Sequence, residues 1–150
     1  MTLDNLVGNT LERIEPDPAA IGRLVRAAER NLADARIETI SSESRFDAAY
    51  RAIMKLANAA LQANGYRTLT SRPGHHMTMI QSLTRTVGLE RERMIAIDGL
   101  RKQRNASDYS GDPVSPAAVE SCISNAETLL DRVKAWLMAH LPECLQDGEP

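Results

Sequence analysis

Eleven residues past the middle of the chain, Arg101–Gly111, read RKQRNASDYSG and gather side chains suited to gripping an anion. A guanidinium holds phosphate or carboxylate through two parallel N–H bonds, and amide and phenol groups add further polar contacts. The stretch follows Met94, Ile97 and Leu100, which mark one face of a helix. At about 100° per residue, Arg104 projects between Ile97 and Leu100. Arg101 and Asn105 flank it, and Lys102 and Gln103 point away. Arg104 is therefore aimed at a seam between helices or between subunits, where an unpaired guanidinium is costly. Two kinds of partner are open to it. One is internal: Asp108, four residues on, or the last carbonyls of the helix. The other is a phosphate or carboxylate ligand. Spacing alone favours the internal partner.

Other chemistry-bearing residues are sparse. His75 and His76 are adjacent at the start of a helix, so at most one faces the arginine, and capping or loop packing is their ordinary use. His140 falls on the apolar stripe of the last helix and is expected to be partly buried, in the core or an interface. Three histidines at these spacings make no metal site. Cys122 reads as a small core residue and Cys144 as part of a polar tail; neither a disulfide framework nor a metal spacing is present. Arg85, Arg91, Arg93, Arg101, Lys102 and Arg104 form a basic bias that borders an RNA groove in one reading. Glu90, Glu92 and Asp98 interrupt it, which favours a solvated helix face. Trp136 reads as core rather than a platform for a base. The phosphate loop, dinucleotide, serine-hydrolase and zinc-protease signatures are missing.

These residues need a scaffold, and the composition points to helices. The chain has 150 residues, enough for one domain with a real core, and only 3 % aromatics. Its core must come from Leu, Ile, Val, Met and Ala, which suits helix packing. The net charge of -2 advertises no global nucleic-acid field, so any such contact is local. The cysteine usage fits a reducing cytoplasm. The start, MTLDNLVGNTLERIEPD, lacks the basic and apolar regions of a secretory signal, and no run approaches a membrane span.

Asp17-Pro18 reads as an N-cap with proline at the first helical position, followed by a stripe of Ile21, Leu24, Val25, Ala28, Leu32 and Ala35. Serines in IETISSESRF break that helix. A second carries Phe46, Ala49, Tyr50, Ile53, Ala57, Ala60 and Leu61, and ends near Gly65. RTLTSRPG reads as a loop. A third, shorter helix carries Met79, Ile80, Leu83 and Val87. The fourth begins around Glu90 and ends at SGDP. Ser115-Pro116 starts the fifth, with Val114 and Val119 placed for a hydrophobic staple. Its stripe is Val119, Cys122, Ile123, Ala126, Leu130, Val133, Leu137 and His140. ECLQDGEP reads as a frayed tail, and residues 1–15 as a short helix or disorder. No segment alternates with period two. The expectation is all-α: an antiparallel up-and-down bundle of about five helices forming one domain over 1–150, with its core at about 17–141.

The segment RFDAAYRAIMKLANAALQANGYRT, then GHH, then a helix ending RNASDY, resembles a HEPN domain over about residues 20–140. The likeness is to a stand-alone bacterial branch carrying R-N…Y in place of R-N…H. It implies a helical bundle that forms a homodimer with two motifs facing one cleft. It implies metal-independent RNA cleavage by an arginine, a polar residue and a histidine, without cofactor. Arg104 matches the arginine, Asn105 the polar residue, and Tyr109 stands where the histidine belongs. Phenol titrates near ~10 and imidazole near ~6.5, so Tyr109 is a poor proton acceptor at neutral pH. The resemblance thus implies an RNA- or nucleotide-binding module, catalytically degenerate, with Arg101, Arg104, Asn105 and Tyr109 at the site and His75 or His76 nearby. It also implies a place beside a nucleotidyltransferase partner in a toxin–antitoxin or defence system. In some members that partner modifies a tyrosine two residues past the motif histidine; here that position is Gly111. The alternatives are an active endoribonuclease and a structural, partner-binding bundle.

Overall fold

The structure, a computed structural model, describes residues 3–71 and 73–146. It is an antiparallel helical bundle. The first helix, α1 (Pro18–Ala35), starts where Asp17 accepts bonds from the Ala19 and Ala20 amides. The second, α2 (Ser42–Ala63), starts at Ser41, whose hydroxyl accepts from the Ser44 amide at 3.1 Å. These side-chain oxygens satisfy amides that the first helical turn leaves unpaired. The expected third helix is broken at Ser82 into α3 (His75–Gln81) and α4 (Leu83–Thr86). The long helices α5 (Arg91–Ser110) and α6 (Pro116–His140) follow. Gly111, at φ 75°, ends α5 in the left-handed conformation that a side chain disfavours. Ser115 caps α6, its hydroxyl accepting from the Ala118 amide at 3.1 Å.

Helix α2 is the centre of the bundle and packs against α1, α3 and α6. Its whole expected stripe is buried, and Ala52, Met54, Leu56, Ala59 and Ala63 are buried as well. So many alanines leave little side chain between neighbouring backbones, and the flanking helices close in on more than one side. By contrast α5 buries only Ile97 and Leu100, with Met94 partly covered. On α6 the core takes Leu129, while Leu130 is only partly buried. His140 is exposed, contrary to expectation, and its ring stacks on Trp136 with centroids 4.1 Å apart. Trp136 packs against the core from its edge.

Two further expectations are corrected. Part of RTLTSRPG is a strand: β1 (Leu11–Arg13) pairs antiparallel with β2 (Tyr66–Thr68), Leu11 opposite Thr68. Three-residue strands are too short to show alternation, which is why the pattern hid them. Of the two readings of residues 1–15, the short helix is the nearer, and the expected fraying of the tail gives way to structure up to residue 146. Leu3–Leu6 form a 3-10 turn whose Asp4 carboxylate accepts bonds from both Arg13 and Tyr66. Pro142–Leu145 form another, burying Cys144 against α1. Leu3, Leu11 and Cys144 thus belong to the core, outside the 17–141 span. The final four residues of the tail lie outside the described residues. Among the described residues no helix is long and apolar enough to cross a membrane.

Candidate functional site

Arg104 lies on the inward side of α5, as its place between Ile97 and Leu100 requires. Its side chain keeps 27 % of its exposure. The guanidinium carbon stands 5.0 Å from the centre of the Tyr50 ring on α2, within cation–π range. Its Nε is 3.5 Å from an Asp47 carboxylate oxygen, and Nη1 is 3.9 Å from Asp108. Neither contact is a hydrogen bond, and the buried Nε has no hydrogen-bond partner. The expected internal partner, Asp108, is therefore present but distant. Asp47, on a different helix, was beyond the reach of spacing arguments.

Tyr50 continues the chain of contacts. Its hydroxyl is 3.2 Å from Nδ1 of His76 on α3. Burial pushes the Tyr50 phenol up to about 12, against the pull of Arg104. Burial also lowers the His76 imidazole below its usual value, and the positive charges of His75, Arg104 and Arg101 push the same way. Both groups are consequently neutral at pH 7 and share one hydrogen bond, whose donor depends on the imidazole tautomer.

Two cavities meet at Arg104. The first, of about 230 Å³, is walled by Tyr50, Arg51, Met54, Lys55, His76 and Arg104. Lys55 donates to the Asn31 side chain at 3.1 Å, and Arg51 makes no ion pair among the described residues. The second, also about 230 Å³, has Glu43, Asp47, Ser107, Asp108 and Asp112 with Arg104 in its wall. Along α2 the charges run Glu43, Asp47, Arg51, Lys55, each four residues after the last. Steps of four keep neighbours adjacent on a helix surface, so this row changes sign as it passes Arg104.

The other anticipated site residues are not gathered there. Arg101 is committed to Asp98, its Nε donating at 2.7 Å. Asn105 is exposed and Tyr109 is 90 % exposed, and neither lines the two cavities. Five residues along a helix turn a side chain through about 140°, so Tyr109 faces away from the Arg104 cleft within one chain. The expectation that Arg104, Asn105 and Tyr109 close on a single phosphate is not met inside this chain. His76 faces the cleft, whereas His75 only touches the edge of the His76 ring, 4.8 Å between centroids. Tyr50, Arg51 and Lys55 were missed as site residues. The i,i+4 pair of cations was visible, but which neighbouring helix it faces was not.

The cysteines take no part. The Cys122 thiol is buried in the core, donates weakly to the Phe46 carbonyl and is pushed up to about 12 by burial. Burial raises Cys144 as well. Among the described residues no cluster of His, Cys, Asp or Glu is arranged to hold a metal. A protein-family model, the HEPN domain, matches residues 21–136. No curated protein matches the chain.

Proposed function

This chain belongs to the HEPN domain family, and from that premise we propose that it is a module binding RNA or nucleotide by a phosphate held between α2, α3 and α5, without cutting it. The observation that carries the reading is the under-partnered Arg104. Its two ion pairs are long, its Nε is without a hydrogen bond, and it shares a cavity with Arg51 and Lys55. An anion entering there meets a pre-positioned fork of donors and two further cations. Tyr50 is covered by its neighbours and holds Arg104 over its ring rather than offering a face to a base.

The same geometry supports reading the module as one that does not cleave. Cutting RNA without metal needs a base at the 2′-hydroxyl and positive charge at the phosphorus. The groove supplies the charge. Tyr109, in the position of the family's histidine, stands in solvent away from it, and the imidazole that does face the groove, His76, has its Nδ1 engaged with the buried Tyr50 hydroxyl at 3.2 Å.

The test is RNA binding and cleavage in EDTA by wild type and Arg104→Ala, alongside thermal melts. Wild type is expected to bind single-stranded RNA and leave it intact. Arg104→Ala should lose about 10- to 100-fold in affinity, the usual worth of charge-assisted hydrogen bonds, and keep its melting temperature. A variant that melts early yet binds normally would make Arg104 structural. Cleavage that disappears in Arg104→Ala would replace the binding module with an active endoribonuclease.

A further inference from the structure

The charge reversal along α2 has a consequence for which phosphate the groove accepts. A nucleic-acid strand carries one negative charge per nucleotide. A strand running through the groove and past Arg104 would bring its next phosphate against Glu43, Asp47, Asp108 and Asp112, which surround the second cavity. Four carboxylates in a partly enclosed space repel such a group strongly. In the opposite direction cations outnumber carboxylates: Lys55 borders a further depression between α1 and α2, with Arg30 and Asn31 in its wall and Asp34 as its single acid. The groove is thus open to a polyanion from one side and closed to it on the other.

We infer that the groove, read as above as a phosphate site, takes a terminal phosphomonoester, the phosphorylated end of an RNA or a mononucleotide, with Arg104 as the stop. A phosphomonoester has three free oxygens and more charge than an internal phosphodiester, so it uses more of the donors of Arg51, Lys55 and Arg104, which line the one cavity. Its chain, if it has one, leaves past Lys55. Because Tyr50 is 2 % exposed, the pocket reads the phosphate and not the base.

Competition binding with the full-length protein tests this, using one oligoribonucleotide with a 5′-phosphate, a 3′-phosphate, hydroxyl ends, or closed into a circle, together with a nucleoside monophosphate. Phosphorylated ends, or the monophosphate, are expected to bind at least about tenfold tighter than the hydroxyl-ended and circular forms, a difference of one good charged contact. Whether the 5′ form, the 3′ form or the monophosphate wins identifies the source of the phosphate. Arg104→Ala should erase the preference. The double substitution Glu43→Gln with Asp47→Asn should narrow it by strengthening circular RNA selectively. If circular RNA binds as tightly as phosphorylated RNA and both depend on Arg104, the terminal-phosphate inference is overturned while the binding function stands. If no probe binds, or binding ignores Arg104, both fall together.

Discussion

Arg104 has five N–H donors and meets its two carboxylates only at 3.5 and 3.9 Å, so its charge is compensated while most of its hydrogen-bonding capacity is unspent. His76, on the facing wall, is kept neutral first by burial and then by the positive charges of His75, Arg104 and Arg101, and a bound anion would oppose the second of these causes. A phosphate beside it favours the imidazolium. In a proton NMR titration, His76 should therefore show a midpoint below 6.5 in the free protein and a higher one with inorganic phosphate present. The same shift carries a stability term. As pH falls through 6.5 the unfolded chain takes up this proton first, so His76 lowers stability progressively until its folded-state value is passed. Above 6.5 that penalty is absent, and His76→Gln should remove it. At this scale the inward aim of Arg104 was legible, because helical phase places it between two apolar residues. Its contacts with Asp47 and Tyr50 were not, since phase on one helix says nothing about which neighbour it faces.

Helix starts and stops were legible, because each is set by a few side chains acting on the nearest backbone. Asp17-Pro18 and Ser115-Pro116 sit where the sequence placed them, and α5 ends at Gly111, within SGDP. Ser115→Ala should cost about 1 kcal/mol, seen as a lower denaturant midpoint with an unchanged slope, because only the Ala118 amide loses its partner. What escaped was anything held from a distance. The strands Leu11–Arg13 and Tyr66–Thr68 are three residues each and exist by pairing with one another. The exposed end of α6 escaped for a related reason: a stripe can be extended to His140 on paper, but Leu137 is the last buried position of the helix.

The helical class of the whole molecule was readable from its few aromatics and missing alternation, but the depth of its ends was not. The carbonyl oxygen of Cys144 lies 2.5 Å from where a side-chain carbon on Gly22 would stand. No L-residue with a Cβ fits there unless either α1 or the segment Pro142–Leu145 shifts. Gly22→Ala should consequently make Cys144 react faster with a thiol reagent while Cys122, deep in the bundle, stays protected. An unchanged labelling rate would mean that α1 gives way instead. The glycine was visible in the sequence; the close approach that requires it joins residues more than a hundred positions apart.

The break at Ser82 gives the groove unequal jaws. Helix α3 has seven residues, starts at Gly74 without a side-chain cap and stops at Ser82. A helix so short does not sustain itself and holds its shape through Met79 and Ile80 beneath it. Two sides of the groove belong to helices of twenty residues or more, whereas the third, bearing His76, rides on this stub. Two arms of the groove are thus long helices braced along their length, while the histidine arm keeps its place through what it packs on.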